Sequence, residues 1–262
     1  ISFMKTYPCI GLSQHCLEDF ARILQKCRND RNKVQALTLL VYMRRNGFYT
    51  HQILGNYLIP MLVNVGANIH HARQVFDSFP YPNEWSWNVL LNGYIACDKP
   101  VYALQLYNLM KNNDFSSIQP SGHTYVAALK ACAMLRNLKK GQEIHQEILE
   151  SGFLRVNVFV GNSLIDMYAK CGDLVKARYV FDALSVRNVV SYNALITGYA
   201  ENGHGEKVCA CIKEMYDEGI ILSDVSFISG LKAYMSVGAI GKGHKIADIV
   251  KRGIERTFLG IC

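Results

Sequence analysis

The sequence has no apolar run long enough to cross a bilayer, no disulfide framework and few charged residues. The stretch LTLLVYM at 37–43 is among its longest apolar runs, far below the about 20 residues that a membrane-spanning helix needs. Its nine cysteines are odd in number and scattered, which favours reduced thiols in a reducing compartment. Charged residues make up 19% of the chain and apolar residues 50%, so the composition excludes a disordered chain and supports a packed core. The net charge of +7 favours a polyanionic partner only weakly.

The sequence also lacks the motifs of common catalytic and metal sites. Zinc deaminases combine an H-x-E string with a later C-x-x-C pair. His145 and Glu147 form such a string, but no C-x-x-C follows, since Cys209 and Cys211 are spaced C-x-C. No Gly-rich phosphate loop follows a strand, because no convincing strand is present. We therefore expect no metal, no cofactor and no catalytic activity. No signal peptide is recognisable, and because the first residue is Ile1 we expect a fragment without its targeting segment.

Residues 157–220 contain two tandem copies of a helix–corner–helix unit. In the second copy, apolar residues recur with the spacing i, i+3, i+4, i+7, which is the period of a helix and not of a strand. They are Tyr192, Leu195, Ile196 and Tyr199 before the corner, and Val208, Cys211, Ile212 and Met215 after it. Gly172 and Gly203 mark the two corners.

The same unit recurs along the whole chain in three types. AKCGDLVKARYVFDAL at 169–184 echoes NVGANIHHARQVFDSF at 64–79, and VSYNALITGYA at 190–200 echoes WSWNVLLNGYIA at 85–96. The three types therefore cycle with a period of about 100 residues. We place the repeats at 17–51, 52–83, 84–121, 122–157, 158–188, 189–223 and 224–259. Residues 1–16 are an unassigned lead-in, and residues 260–262 begin a further, truncated repeat.

These strings resemble the pentatricopeptide repeat family of land-plant organelles, in the subclass that alternates standard, long and short repeats (the PLS subclass). VVSYNALITGYAENGHGEKVCACIKEMYDEGI resembles the standard repeat, NVFVGNSLIDMYAKCGDLVKARYVFDAL the short one and TYVAALKACAMLRNLKKGQEIHQEILESG the long one. The resemblance covers 17–262. It implies an all-α, right-handed superhelical solenoid of about seven helix–turn–helix repeats, whose first helices line a concave, RNA-binding surface.

The resemblance also implies which residues contact RNA. In this family the fifth and last residues of a repeat contact the base edge, and the second residue packs against the base faces. In the short and standard repeats the edge-reading pairs are Asn56 and Asn83, Asn88 and Ser121, Asn162 and Asn188, and Asn193 and Ser223. The stacking residues are Ile53, Trp85, Phe159 and Val190, and Lys170 matches a phosphate-contacting lysine. An amide has both a donor and an acceptor, so Asn can match the edge of an unstacked base.

The family's code associates a fifth-position Asn with pyrimidines, which implies the pattern x-Y-C-x-Y-C-x from 5′ to 3′. The long repeats depart from this code, and the nucleotides assigned to them are written as x because no base is implied. These repeats have Ala21 with His51, Val126 with Asn157, and Ile228 with Leu259, and an aliphatic side chain cannot hydrogen-bond a base. The ordinary alternatives stay open. Each Asn could cap a helix, Lys170 could be a solvated surface residue, and we assign Trp87 to the core.

The implied function is sequence-selective binding of single-stranded RNA in a mitochondrion or chloroplast. Within the subclass the usual role is site recognition for C-to-U RNA editing, with an editing deaminase or other editing factors acting in trans. One alternative is a splicing, stability or translation factor that uses the same surface. The other is a protein-binding helical-repeat scaffold in a larger assembly. Polar Asn, Ser and Lys side chains on the binding face favour RNA, whereas a continuous apolar groove favours a peptide.

Overall fold

The computed structural model describes residues 14–48, 51–78, 82–112, 118–153 and 157–238. Within these ranges the regular structure is helical, with no β-strand. The helices are α1 Gln14–Asp30, α2 Lys33–Arg45, α3 Gln52–Asn64, α4 Ile69–Asp77, α5 Glu84–Ala96, α6 Pro100–Lys111, α7 Gly122–Leu135, α8 Leu138–Ser151, α9 Val158–Lys170, α10 Leu174–Ala183, α11 Val189–Glu201, α12 Gly205–Asp217 and α13 Asp224–Gly238. Leu259, residues 260–262 and residues 1–13 of the lead-in lie outside the described residues.

A single residue with left-handed backbone geometry forms each corner between paired helices. Gly66, Gly172 and Gly203 have φ of +65°, +85° and +75°, a region that glycine adopts without the strain that a Cβ causes. The corners that the sequence predicts at Gly172 and Gly203 are thus confirmed. The other three corners between described helix pairs use the non-glycine residues Arg31, Asp98 and Arg136. Soon after four of these corners, the side chain of Asn32, Asn68, Asn137 or Asp173 accepts a backbone N–H and begins the second helix.

Ile1–Pro120 forms one compact unit, whose described part contains α1 to α6. The first helices of successive pairs pack on one another, α1 on α3 and α3 on α5. The second helices α2 and α4 pack against α3 and α5, the first helices of the following pairs. At the contact between α4 and α5, Phe76 meets Trp87 edge to face, with ring centroids 4.6 Å apart. Trp87 is buried, which confirms its assignment to the core.

Ser121–Cys262 forms the second compact unit, and its described part contains α7 to α13. Here α7, α9, α11 and α13 pack in succession. Phe181 on α10 meets Tyr192 on α11 edge to face, with centroids 4.8 Å apart. This is the same pairing, at the same place in the repeat, as the one between Phe76 and Trp87. The all-α repeat architecture expected from the sequence is therefore confirmed, while the exact repeat boundaries stay predictions.

Candidate nucleic-acid interface

The first turns of four first helices present an exposed apolar side chain and an asparagine on the same face. The two residues are three apart, a spacing that makes them neighbours on a helix surface. The pairs are Ile53 and Asn56 on α3, Trp85 and Asn88 on α5, Phe159 and Asn162 on α9, and Val190 and Asn193 on α11. The apolar members are 44% to 71% exposed, although large apolar side chains are normally buried. Each first turn therefore offers an apolar surface beside an amide.

Two of these amides are held by a serine from the next helix pair. The hydroxyl of Ser86 on α5 donates to Oδ1 of Asn56 at 2.7 Å. The hydroxyl of Ser191 on α11 donates to Oδ1 of Asn162 at 2.6 Å. Both serines are completely buried, and Asn162 itself is only 7% exposed. The amide oxygens of Asn56 and Asn162 therefore have an internal partner.

Asn193 has the same kind of partner from a different place in the repeat. The hydroxyl of Ser223, directly before α13, donates to Oδ1 of Asn193 at 3.0 Å. Ser226 keeps Ser223 in position, because its hydroxyl oxygen accepts the backbone N–H of Ser223 at 2.8 Å. The structure therefore brings the predicted pair Asn193 and Ser223 into direct contact.

Asn88 is placed differently from the other three asparagines. Its Nδ2 lies 3.4 Å from Oε1 of Glu84, one turn earlier on α5, and its backbone carbonyl accepts from the side chain of Asn92. Glu84 thus places a carboxylate beside the amide of Asn88. Ser121, predicted to read a base together with Asn88, begins α7, and its backbone N–H donates to Oγ1 of Thr124 at 3.1 Å.

The last residues of the two short repeats cap helices. Oδ1 of Asn83 accepts the N–H of Ser86 at the start of α5. Oδ1 of Asn188 accepts the N–H groups of Val190 and Ser191 at the start of α11, each at 3.0 Å. The capping role that the sequence left open is therefore present at both positions. It occupies the amide oxygens of Asn83 and Asn188 and leaves their amide nitrogens for other partners.

The long repeats present no side-chain amide at the corresponding place in the first turn. Ala21 and Val126 are half-buried there, and Ile228 is 51% exposed. The last residues of the first two long repeats also lie at helix starts. His51 begins α3 without a side-chain cap, whereas Oδ1 of Asn157 accepts the N–H of Phe159 and so caps α9.

Lys170 lies exposed at the end of α9 and is paired with a carboxylate on the same helix. Its Nζ is 2.9 Å from Oδ2 of Asp166. An exposed pair four residues apart contributes only about 0.3–0.5 kcal/mol, so an incoming phosphate could replace Asp166 at low cost.

The cysteines Cys27, Cys132, Cys209 and Cys211 are buried in the helix packing, whereas Cys97 is exposed. Burial raises the pKa of Cys132 and of Cys211 to about 12, so both thiols stay protonated and are poor nucleophiles. Nδ1 of His145 lies 2.8 Å from the hydroxyl of Tyr168. Within the described residues, no group of three or more His, Cys, Asp or Glu side chains is arranged to hold a metal ion. None of the described helices has the length and apolar character that crossing a membrane requires.

Sequence reasoning missed Ser86 and Ser191. Both are the third residue of a standard repeat, and Thr124 and Ser226 occupy the same position in long repeats. A small hydroxyl residue three positions after a capping Asn or Ser is the available signal, and by itself it indicates only a helix start. The hydrogen bonds from these serines to Asn56 and Asn162 depend on how successive helix pairs stack, which the local sequence does not indicate.

Two models of the PPR repeat family match the chain. The first, described as the PPR repeat family, matches residues 82–134 and 187–236. The second, described as the PPR repeat, matches residues 123–153 and 162–189. Together these ranges cover more than half of the chain.

The chain also resembles curated proteins of Arabidopsis thaliana that are named pentatricopeptide repeat-containing proteins. One is 33% identical over 209 residues, covering 78% of this chain and 35% of the relative. Another is 37% identical over 209 residues, with 78% and 33% covered. A third, named as mitochondrial, is 34% identical over 213 residues, with 81% and 27% covered. The chain thus spans about a third of the length of these relatives.

Among solved structures, the chain is similar to the pentatricopeptide repeat protein PPR10. The match to PPR10 in complex with an 18-nt psaJ RNA element has a TM-score of 0.72 at 19% identity, and covers 90% of this chain and 34% of PPR10. The match to PPR10 from maize has a TM-score of 0.55 at 15% identity, and covers 98% and 43%. At these identities the likeness supports the helical-repeat fold.

Proposed function

Because the chain belongs to the pentatricopeptide repeat family, we propose that it binds single-stranded RNA through the first turns of its first helices and selects the sequence that it binds. One observation carries this proposal: the exposed apolar side chain beside an asparagine, repeated at one position of four helix pairs. That PPR10, a protein of the same repeat architecture, was solved in complex with an RNA element supports the choice of ligand.

The apolar–amide pairs suit an unstacked base. An apolar or aromatic side chain offers a face on which a base can stack, which is worth about 1–3 kcal/mol per base. The amide beside it can hydrogen-bond the base edge. Phe159 with Asn162 and Val190 with Asn193 provide both functions on α9 and α11. Double-stranded RNA would not fit this arrangement, because its base faces are already stacked.

The proposed base assignments follow the fifth residues. Asn56 and Asn162 each take a pyrimidine, and Asn88 and Asn193 each take C, giving x-Y-C-x-Y-C-x. In the short repeats, the amide nitrogens of Asn83 and Asn188 are available to assist, since capping occupies only their oxygens. Lys170 contacts a phosphate, and the net charge of +7 favours the polyanion in general.

We place this RNA binding in a plant organelle, as the recognition step of C-to-U editing. The resemblance of the repeat strings to the PLS subclass supports this role, and the relative named as mitochondrial supports an organellar location. The chain itself is proposed to be non-catalytic and to need no cofactor, and the deamination is left to a partner or to another domain. Splicing, transcript stability and translation are the alternative outcomes of the same binding.

A protein-binding scaffold is the second candidate. The observation in its favour is the pair Val175 and Tyr179, four residues apart on the second helix α10 and 79% and 70% exposed. These residues lie outside the first turns that carry the asparagines, so the two functions are separable by mutation.

Selection from a random RNA pool at fixed salt tests the proposal. The chain should enrich a single-stranded sequence with pyrimidines at the predicted positions. Asn193→Thr should shift one nucleotide towards purine, because the shorter side chain leaves room for a larger base. Such a contact is worth about 1–3 kcal/mol on the scale of base readout in DNA. Asn108→Thr, the same change on the second helix α6, is the matched control.

This experiment distinguishes a protein-binding scaffold from an RNA-binding protein whose base assignments are wrong. Absence of RNA binding at low salt would favour the scaffold. Binding with an identical preference in wild type and Asn193→Thr would reject the base assignments.

A further inference from the structure

The hydrogen bonds around Ser191 leave one choice for its hydroxyl proton. Oγ of Ser191 accepts the backbone N–H of Asn188 at 3.3 Å. Its proton has two oxygens within reach, Oδ1 of Asn162 at 2.6 Å and Oδ1 of Asn188 at 3.1 Å. The Asn188 oxygen already accepts two backbone N–H groups, which use both of its lone pairs. The proton therefore goes to Asn162.

This bond fixes the orientation of the Asn162 amide. With Oδ1 turned towards the buried Ser191, the amide nitrogen is the group left for a ligand. That nitrogen has no hydrogen-bond partner among the described residues, and Asn162 as a whole is 7% exposed. Asn162 thus presents donors to a base and withholds its acceptor.

The same arrangement occurs independently in the other compact unit. Ser86 donates to Oδ1 of Asn56, while the N–H of Ser86 is bound by the capping residue Asn83. In both units a short repeat precedes a standard repeat, and the serine is the third residue of the standard repeat. The same arrangement of a capping Asn, a Ser and the Asn of the preceding repeat occurs twice, which argues against an accidental contact.

In the standard repeat at 189–223, the last residue of the same repeat binds the amide oxygen of the fifth residue. Ser223 donates to Oδ1 of Asn193, whereas the last residue of each short repeat is occupied as a helix cap. The short repeats therefore need another donor to fix the amide, and the following repeat provides it.

We propose that Ser86 and Ser191 are positioning residues that set the base preference of the preceding short repeat by binding the amide oxygens of Asn56 and Asn162, so that the amide nitrogens are left for a base. The proposal rests on the RNA-binding function proposed above. It makes the specificity of a short repeat depend on the third residue of its neighbour. A fixed amide donates to an acceptor such as the O2 atom of a pyrimidine. A free amide can turn over and also accept from the amino or imino group of any base, so its discrimination falls.

Equilibrium binding to matched oligonucleotides tests this dependence. The probes are the RNA selected by the wild-type chain and its versions with each of the four bases at the fifth nucleotide, the one assigned to Asn162. Wild type should discriminate against purines there by roughly 5- to 150-fold, which corresponds to the 1–3 kcal/mol of one good base contact. Ser191→Ala should reduce this ratio towards one at that nucleotide only, and Ser191→Thr, which keeps the hydroxyl, should restore it. Ser86→Ala should act in the same way at the second nucleotide alone.

The controls separate a positioning role from a structural one. Ser151→Ala, which removes a hydroxyl at the end of the second helix α8, should leave every base ratio unchanged. If Ser191→Ala lowers the affinity for all four bases equally, or keeps the ratio that Asn162→Ala abolishes, the positioning role is rejected while RNA binding stands. If wild type shows no preference at any nucleotide, the proposed function itself fails. If Ser191→Ala does not fold, the base ratios of Ser86→Ala at the second nucleotide test the positioning role.

Discussion

The ammonium group of Lys170 lies 2.9 Å from a carboxylate oxygen of Asp166, one turn earlier on α9. Both side chains are partly exposed to solvent, at 43% and 34%. The pair therefore places a cation at the end of the helix that carries Phe159 and Asn162 in its first turns. Asp166 partly neutralises this cation in the free protein, which makes the two residues a matched pair for testing phosphate contact.

Lys170→Ala is expected to weaken binding of every RNA sequence equally. Loss of one phosphate contact should reduce the slope of log K against log salt by about 0.7 for a single strand. Asp166→Asn should act in the opposite direction, because it releases Lys170 from its carboxylate. Salt titrations of binding measure both effects, with Lys213→Ala on the second helix α12 as the control. An unchanged salt slope in Lys170→Ala would remove Lys170 from the interface.

The helical architecture was predictable because it depends on local patterns. The i, i+3, i+4, i+7 spacing of Tyr192, Leu195, Ile196 and Tyr199 requires a helix whichever partner covers it. Glycine at positions 172 and 203 likewise predicts a corner with left-handed backbone geometry. The corner at Arg136, with φ of +50°, carries no such signal, since its geometry results from joining two packed helices.

The positions of the candidate base readers were predictable, and their hydrogen bonds were not. Repetition placed Asn56, Asn88, Asn162 and Asn193 at one position of successive repeats. The partners of Asn56 and Asn162 are serines of the next pair, and nothing local connects them. A hydroxyl at the third helical position has an ordinary reason to be there, because it also accepts the N–H of a capping residue. Only the stacking of α9 on α11 brings Ser191 to Asn162.

Stability should decrease at mildly acidic pH because of His145. Burial, assisted by the positive charge of Lys176, lowers the pKa of His145 below its ordinary value of 6.5. The unfolded chain then binds a proton that the folded chain resists. The stabilisation is therefore complete above pH 6.5 and is lost as the pH falls from 6.5 through the lower folded pKa. Urea unfolding at about pH 8 and about pH 5 measures the difference, a range in which histidine changes charge.

His145→Phe isolates this contribution. Phenylalanine can keep the edge-to-face contact with Tyr168, whose centroid lies 5.5 Å away, but it loses the hydrogen bond to the Tyr168 hydroxyl. At about pH 8 the variant should be less stable than wild type by about 1 kcal/mol, and at about pH 5 the gap should narrow. His123→Phe, at an exposed position on α7, is the control for replacing a histidine by phenylalanine. Parallel pH curves for wild type and His145→Phe would show that His145 does not titrate in this way.

Gly198→Ala should destabilise the second unit by forcing α9 and α11 apart. A methyl group at Gly198 would overlap Cβ of Ala169 and approach its Cα to 3.5 Å. Because Cβ of Ala169 is fixed to the backbone, it cannot turn away, and overpacking of this kind costs about 1–3 kcal/mol. The better helix propensity of alanine returns at most about 1 kcal/mol. At Gly141 the overlap is with the thioether of Met167, a flexible side chain that can move, so Gly141→Ala should cost less.

Ala169→Gly in the Gly198→Ala background should restore part of the lost unfolding free energy in urea. If Gly198→Ala alone unfolds like wild type, the approach of α9 to α11 is adjustable, and the short bond from Ser191 to Asn162 on the same two helices would lose its rigid support.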